Sequence, residues 1–297
     1  MGAKLRTVRR RIRSVQSTMK ITRAMELIAA SRILKAQQRV EAARPYAEQL
    51  TSVMEDVARR TGPLSHPLLE ERPERRRAAV FIVTSDRGLA GAYNSNVIRR
   101  AERVIGRFRG EGTEPVLYIV GRKAQSYFRF RRVPIEEGWT GFSEVPAYEN
   151  AEEIGQLLIG EFAQGRVDAV QAVYTDFRSA FTLRPIDKRF LPVAAEEMTG
   201  DEEKELSADY IFEPEPEALL DALLPRYVTA KIFHAMLESA ASEHASRRRA
   251  MKAATENAED LIRTLTRVAN QARQAEITTE LMEIVGGAEA LKQASGD

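Results

Sequence analysis

The 297-residue chain contains no cysteine, few histidines and few aromatic residues. The absence of cysteine excludes disulfides, thiolate catalysis and cysteine-ligated zinc or iron–sulfur sites within the chain. The three histidines, His66, His234 and His244, are scattered along the sequence, which argues against a histidine metal site or a catalytic triad. Aromatic residues make up 7% of the sequence, which is more typical of long helices than of an all-β barrel. We therefore expect neither a metal nor a cofactor.

Long apolar runs are also missing. No stretch of 18 apolar residues occurs, so we expect no segment that spans a bilayer. The basic start MGAKLRTVRRRIRSV is not followed by the apolar region of a secretory signal.

Charge is distributed unevenly. Residues 1–44 carry twelve Lys or Arg and two Glu, a net charge of +10, whereas the whole chain has a formal charge of +2. The rest of the chain is therefore acidic. This asymmetry predicts that the N-terminal segment meets an acidic partner, and nucleic acid is one alternative.

The N-terminal segment has a heptad pattern from Leu5 to Val57, and 14 of its 16 a and d positions are apolar. The a positions are Leu5, Ile12, Met19, Glu26, Ile33, Val40, Ala47 and Met54, and the d positions are Val8, Val15, Thr22, Ala29, Ala36, Ala43, Leu50 and Val57. The pattern predicts one long helix, with a kink at Pro45.

The C-terminal segment repeats this pattern from Leu219 to Met282, with 15 of 19 positions apolar. The exceptions are Arg226, His244, Arg247 and Thr279. Gly286-Gly287 predicts the end of this helix. A compact globule cannot bury a seam of such length, so each helix needs a partner helix. Antiparallel pairing of the two ends of one chain is the natural arrangement, and a homodimeric coiled coil or a tether-type bundle stay open as alternatives.

The middle of the chain has a different pattern. Prolines and the charged run EERPERRR mark a boundary, after which strands at 78–84, 116–120 and 169–174 alternate with helices at 94–108, 122–130 and 151–163. Residues 181–191 indicate an edge strand or hairpin arm. The fold class is therefore α/β: a long antiparallel coiled coil of the terminal helices plus a Rossmann-like open α/β domain. We divide the chain into 1–60, 75–212 and 213–287.

No catalytic constellation is visible. The sequence TSDRGLAGAYN (84–94) lies between a strand and a helix, as a phosphate loop would, but it matches neither GxGxxG nor GxxxxGK[ST]. We interpret it as a structural turn in which Asp86 and Arg87 pair locally. Asp168, Asp176 and Asp187 are interpreted as ordinary strand and turn acids. The run Arg247–Arg249 is interpreted as a charged helix face unless acidic residues lie opposite it.

Five segments closely resemble the gamma subunits of F-type ATP synthases, in the family order and over essentially the whole chain. They are KLRTVRRRIRSVQSTMKITRAMELIAASRILKAQ, TSDRGLAGAYN, ADYIFEPEPEALLDALLPRYV, MKAATENAEDLI and NQARQAEITTELMEIVGGAEAL. In the second segment, Ala90 and Ala92 replace the usual Cys and Gly. The resemblance implies a central rotor shaft, a non-catalytic subunit of the enzyme complex that binds no nucleotide. It also implies alpha and beta partners (one gamma per three of each), the epsilon subunit and the c-subunit ring.

The resemblance also implies particular contact residues. Contacts with the alpha/beta hexamer are expected at Arg10, Lys20, Arg23, Met25, Arg273, Gln274, Thr278, Glu280 and Glu283. An apolar bearing tip is expected at Leu281, Met282, Ile284, Val285 and Leu291, and a foot on the c ring at Tyr210 and Glu213. Met25 lies beside the heptad seam and is equally compatible with ordinary packing.

The departures from the family pattern carry expectations of their own. The cysteine-containing regulatory insertion of the chloroplast members is absent, which excludes thiol regulation. The absence of a transit peptide favours a bacterial protein. For such a protein the resemblance implies a peripheral location on the cytoplasmic face of the plasma membrane, without contact to nucleic acid. The alternative from another class is a stand-alone coiled-coil adaptor whose α/β head binds an acidic partner or nucleic acid.

Overall fold

The computed structural model describes residues 2–61, 66–179, 182–194 and 216–294. The helices in this part of the chain are α1 (Gly2–Thr61), α2 (Tyr93–Gly110), α3 (Arg122–Phe130), α4 (Tyr148–Ala163) and α5 (Pro216–Ala294). The strands are β1 (Arg77–Val83), β2 (Glu114–Val120), β3 (Glu137–Trp139), β4 (Ala169–Phe177) and β5 (Leu183–Leu191). The chain forms two compact units: unit 1 (Met1–Ile28 and Arg248–Asp297) and unit 2 (Ala29–Arg247).

Helix α1 follows the predicted heptad pattern and continues through Pro45. Every a and d position whose side chain is described is buried or half-buried. The buried apolar positions are Leu5, Ala29, Ile33, Ala36, Leu50 and Met54. The seam inferred from apolar spacing is therefore the face that α1 buries.

Helix α5 departs from the predicted pattern in unit 1. Its buried positions there include Thr255 and Ala269, whereas the predicted Leu261 is 37% exposed. The predicted Ala254 and Val268 are only half-buried, so the buried face lies about one residue later at these positions. The physical reason lies in Thr255, whose hydroxyl donates to the carbonyl of Met251 (2.9 Å) and lies 2.8 Å from the hydroxyl of Thr22. A threonine with satisfied hydrogen bonds can occupy a core position that an apolar pattern would not assign to it.

The predicted end of α5 at Gly286-Gly287 is wrong, because the helix continues to Ala294. Neither glycine adopts the left-handed backbone conformation that ends helices. A glycine that keeps helical angles costs only about 1 kcal/mol relative to alanine, which a helix can tolerate.

The sheet has the strand order β3-β2-β1-β4-β5. Strands β1 to β4 are parallel, and β5 pairs with β4 in antiparallel fashion, as predicted for an edge strand. The sequence does not predict strand β3, because a strand of three residues is too short to show a periodic pattern. This open α/β sheet with its long terminal helices confirms the predicted fold class.

Both faces of the sheet are covered within unit 2. In β1, Ala79, Phe81 and Val83 face a core that includes α4 and the first part of α5, and the alternate residues face α2 and α3. This follows the period of two in a strand, and burial on both sides explains the continuous apolar run.

The two long helices pair in antiparallel fashion in unit 2. Leu50 and Met54 of α1 join the same core as Leu220 and Leu224 of α5. Earlier in α1, Ala43 lines a cavity with a residue later in α5, Phe233. Earlier positions in α1 therefore lie beside later positions in α5, which is the antiparallel arrangement. Our division of the chain into an N-terminal coiled-coil helix (1–60), an α/β domain (75–212) and a C-terminal coiled-coil helix that pairs with the first (213–287) stays a prediction.

Gly121, between β2 and α3, provides a test of the sheet. It has a φ of +98°, and a Cβ added there would lie 2.2 Å from the carbonyl oxygen of Thr84. Gly121→Ala should therefore lower the free energy of unfolding by about 3 kcal/mol or more, through backbone strain and overpacking. Gly106→Ala is the control: nothing lies within 4 Å of its added Cβ, on an exposed face of α2, so a gain of about 0.5–1 kcal/mol is expected. Urea unfolding of the purified chain measures both, and equal midpoints for Gly121→Ala and the wild type would contradict the structure.

The Thr22–Thr255 pair provides a test of unit 1. Thr22→Val alone leaves the buried Thr255 hydroxyl with one partner fewer and should cost about 1 kcal/mol of unfolding free energy. Thr22→Val with Thr255→Val removes both hydroxyls and should cost less than the sum of the single changes, with a coupling of about 0.5 kcal/mol or more. Thr266→Val, on an exposed position of α5, is the control for the loss of a hydroxyl alone. Strict additivity would show that the two threonines do not interact.

Candidate partner-contact sites

The predicted contacts on α1 lie mostly on its outer surface. Arg10, Lys20 and Arg23 are exposed, and Arg23 pairs with Glu26 at 3.3 Å. Met25 is half-buried, so its position suits both packing and contact. The Arg23 side chain is 62% exposed, whereas that of Glu26 is 12% exposed. A surface ion pair of this kind contributes about 0–1 kcal/mol to folding, which leaves the arginine charge available for a partner.

The predicted contacts on α5 lie near its C-terminal end. The polar members of this set, all exposed, are Arg273, Gln274, Thr278, Glu280 and Glu283. The hydroxyl of Thr278 donates to the carbonyl of Gln274, one turn earlier in the same helix. The predicted contact role of these residues, and of those on α1, stays a prediction.

The predicted bearing tip is apolar and exposed. Leu281, Met282, Ile284 and Val285 are between 57% and 70% exposed. The side chain of Leu291 lies outside the described residues, and so do Tyr210 and Glu213, the predicted foot on the c ring. Four large apolar side chains exposed within five residues are unusual on a soluble protein and typically mark an interaction surface.

The turn after β1 is held by hydrogen bonds within the protein. The backbone amide and hydroxyl of Ser85 contact the side chain of Asn94. The hydroxyl of Thr84 donates to the carbonyl of Val120, across to the end of β2. These contacts support the interpretation of 84–94 as a structural turn.

The predicted local pair between Asp86 and Arg87 is wrong. The Asp86 carboxylate accepts hydrogen bonds from the backbone amides of Arg122 (3.1 Å), Gly141 (2.7 Å) and Ser143 (3.2 Å). Arg87 instead lies 3.5 Å from the carboxylate of Glu144. A carboxylate that binds amides from other segments fixes those segments in place, so Asp86 joins the turn to the loop after β3.

The acids that could have formed carboxylate pairs are each bound to arginine. Asp168 pairs with Arg72 at 2.9 Å, and Asp176 pairs with Arg178 at 3.1 Å. Asp187 binds Arg100 and, at 3.4 Å, Arg107.

Asp168 also caps the start of β1. Partial burial acts to raise its pKa, but hydrogen bonds from the amides of Arg77 and Arg76 and from the Arg72 guanidinium lower that pKa overall. The carboxylate is therefore charged at neutral pH, as the interpretation of a structural acid requires.

An ionic cluster lies where α5 meets the loops at the carboxyl end of the sheet, with Glu243 and Arg247 buried at its centre. Its members are Arg32, Asp86, Glu144, Glu243 and Arg247. Glu144 binds Arg32 and lies 3.4 Å from Arg247, whose guanidinium lies 2.5 Å from Glu243. Arg247 is thus not part of an exposed charged face, because acidic residues do lie opposite it. The sequence indicates this cluster through His244 and Arg247, which occupy positions of the heptad pattern that are otherwise apolar.

Burial changes the proton affinities in this cluster. It raises the pKa of Glu243 to about 7, against the opposing effect of Arg247, and the charges of Glu144 and Asp86 add to the rise. Burial lowers the pKa of His244, whose Nε2 lies 3.2 Å from the carbonyl of Glu144. His244 is therefore neutral at pH 7, whereas Glu243 exchanges its proton near that pH.

The described residues contain neither a membrane-spanning helix nor a metal-ligand group. None of the helices there is long and apolar enough to cross a membrane. No group of three or more potential metal ligands occurs among those residues.

Comparisons with known proteins identify the family. The family described as ATP synthase matches residues 4–291. The ATP synthase gamma chain of Acidothermus cellulolyticus is 55% identical, and the match covers 98% of each chain. The gamma chain of Parafrankia sp. is 54% identical, with 100% of each chain covered. The rotor of the Euglena gracilis mitochondrial ATP synthase shares the fold, with a TM-score of 0.65 at 16% identity over 93% of this chain and 100% of that chain. The chain therefore belongs to the ATP synthase gamma chain family.

Proposed function

We propose that this chain is the central stalk subunit of an F-type ATP synthase and transmits rotation of the membrane ring to the catalytic hexamer. As a gamma chain, it is a subunit of the ATP synthase complex. The observation that carries the proposal is the match to bacterial gamma chains over 98–100% of the chain. The alternative of a stand-alone adaptor has no comparable support, because one family accounts for nearly the whole sequence.

The arrangement of elements suits this function. Two helices that bury a shared apolar seam form a rod that resists twisting, since side chains interlock along it. The sheet of unit 2 is packed against both helices and provides a broad attachment for other subunits. In the proposed assembly, the foot at Tyr210 and Glu213 contacts the c ring, and unit 2 also holds the epsilon subunit.

The surface chemistry suits the proposed partners. The basic residues of α1 would contact acidic segments of the beta subunits, and the polar residues near the end of α5 would contact the same hexamer. The exposed apolar tip would turn inside an apolar sleeve, where the absence of directional hydrogen bonds keeps the resistance to rotation low. The protein would lie peripherally on the cytoplasmic face of the plasma membrane, without nucleic acid.

The proposed role is non-catalytic. An asymmetric rod among three equivalent sites makes their nucleotide affinities unequal, because each site contacts a different side of the rod. An affinity difference of tenfold corresponds to about 1.4 kcal/mol of differential contact energy. The catalytic groups themselves would belong to the alpha and beta subunits.

The basic contacts can be tested by removing their charge. Arg10→Gln, Lys20→Gln and Arg23→Gln together should reduce activation of the alpha/beta ATPase and weaken its dependence on salt, because exposed charges act on an acidic partner through screened attraction. The free energy of unfolding of the isolated chain should change by less than about 1 kcal/mol per residue.

The matched control removes the same charge elsewhere. Arg103→Gln, Arg109→Gln and Arg129→Gln lie on exposed positions of α2 and α3. They should leave activation of the alpha/beta hexamer unchanged. Equal effects of the two triple variants would mean that net charge, and not the α1 surface, determines activation.

The non-catalytic role predicts that the isolated chain does not bind Mg-ATP with defined stoichiometry. Calorimetric titration measures this directly, beside an ATPase assay of alpha and beta subunits with and without the chain. Activity should respond only on assembly. Micromolar binding to the isolated chain would overturn the proposal and point to a nucleotide site at residues 85–91.

Copy number separates the proposal from the adaptor alternative. Native mass spectrometry of the complex purified from its source should show one copy per three alpha and three beta chains. A dimer of this chain without those subunits would favour the adaptor.

A further inference from the structure

Arg247 is the last residue of unit 2 and holds several segments together. Its guanidinium lies 2.5 Å from Glu243 on the preceding turn of α5, 3.4 Å from Glu144 and 3.2 Å from the backbone carbonyl of Gly88. The Arg247 side chain is 8% exposed and the Glu243 side chain 1% exposed. A buried arginine with this many partners is held in one orientation, because its planar donors bind in fixed directions.

These partners come from segments that are far apart in the sequence. Gly88 belongs to the turn after β1, and Glu144 belongs to the loop between β3 and α4. Glu144 also binds Arg32 of α1. Asp86 binds the amides of the same loop, and the hydroxyl of Ser143 lies 3.4 Å from Glu243. One cluster thus connects both long helices to the carboxyl end of the sheet.

We propose that Arg247 is a positioning residue of the rotor: its contacts with Glu243, Glu144 and Gly88 fix the angle of α5 against the sheet, so that torque applied to the sheet turns the helix pair. This inference rests on the proposed function, since it needs a load between the sheet and the helices. The apolar contacts of α5 resist separation, but they resist sliding and rotation less than directional ionic hydrogen bonds do.

The protonation state of Glu243 determines how many carboxylates hold Arg247 in place. With Glu243 ionised, Arg247 lies between two carboxylates; with Glu243 protonated, it keeps the charge of Glu144 alone, which Arg32 and Arg87 share. The polar groups around Glu243 are Asp86 on the turn, Tyr93 on α2, Ser143 and Glu144 on the loop, and Arg247 on α5. Because burial raises the pKa of Glu243 to about 7, the protonated carboxyl is favoured at pH 6 and the carboxylate at pH 8.

The cluster therefore predicts opposite pH trends for stability and stiffness. A carboxyl whose pKa is higher in the folded state favours folding most when protonated, so its contribution to the unfolding free energy falls as the pH rises from the unfolded pKa towards 7. In contrast, the stiffness of the contact between α5 and the sheet should increase from pH 6 to pH 8, because Glu243 becomes charged and binds Arg247 more strongly. A residue with a purely structural role would show stiffness and stability changing together.

The test measures torsional fluctuation in the assembled complex. The chain has no cysteine, so Ser126→Cys, at an exposed position on α3, gives a single attachment point for a nanorod. The alpha/beta hexamer is fixed to a surface and loaded with a non-hydrolysable ATP analogue, and the angular variance of the rod is recorded at pH 6, 7 and 8. In the wild type, the variance should fall about twofold from pH 6 to pH 8, since one of two charge-assisted contacts is regained.

Two variants and one control complete the test. Glu243→Gln keeps the shape of the side chain and should hold the variance at its higher value at every pH. Arg247→Lys keeps the charge but loses the planar donors, and should raise the variance at pH 8 about twofold. Arg248→Gln, at the adjacent exposed position, should match the wild type.

The possible results separate the two proposals. Variance equal to the wild type in both Glu243→Gln and Arg247→Lys at pH 8 would overturn the inference, and so would a variance in the wild type that does not change with pH. A wild-type chain that fails to activate the hexamer, or to form the complex, would instead overturn the proposed function.

Discussion

The apolar seam of α1 has to be covered along its length, because a row of exposed a and d side chains would be unstable in water. In this chain the covering helix is the other terminus, and that choice constrains the rest of the fold. The sheet has to be inserted between the two helices in the sequence, and its termini have to approach each other in space. Leu50, Met54, Leu220 and Leu224 therefore meet in the same core as the strands.

Apolar periodicity predicted the fold because its main elements bury apolar side chains at regular intervals. The a and d positions of α1 and the continuous run in β1 are of this kind. Two of the errors occur where a residue's partner is distant in the sequence. Thr255 replaces an apolar core residue because Thr22 satisfies its hydroxyl, and Arg247 is buried because Glu144 lies opposite it. Neither partner can be identified from spacing alone.

The candidate contact residues could be named from the sequence only through the family resemblance. Residues such as Arg10 and Glu280 are exposed in the isolated chain, and nothing in their own spacing distinguishes them from other solvated charges. Exposed charges contribute little to folding, so the fold does not require these residues. The apolar tip differs in this respect, because exposed Met282 and Ile284 depart from what a soluble surface normally shows.

Exposed and buried charges therefore have different consequences in this protein. An exposed charge such as Lys20 stays hydrated, so it costs little free energy of folding. It contributes binding energy only when it contacts a partner. A charge such as Glu243 loses its hydration on burial, and its attraction to Arg247 compensates only in part, which is why its pKa rises to about 7. A buried ion pair of this kind adds little to stability but fixes geometry, because its donors and acceptors accept few alternative arrangements. A rotor needs that property where a sheet joins a helix: transmission of torque depends on the stiffness of the joint more than on the free energy of unfolding.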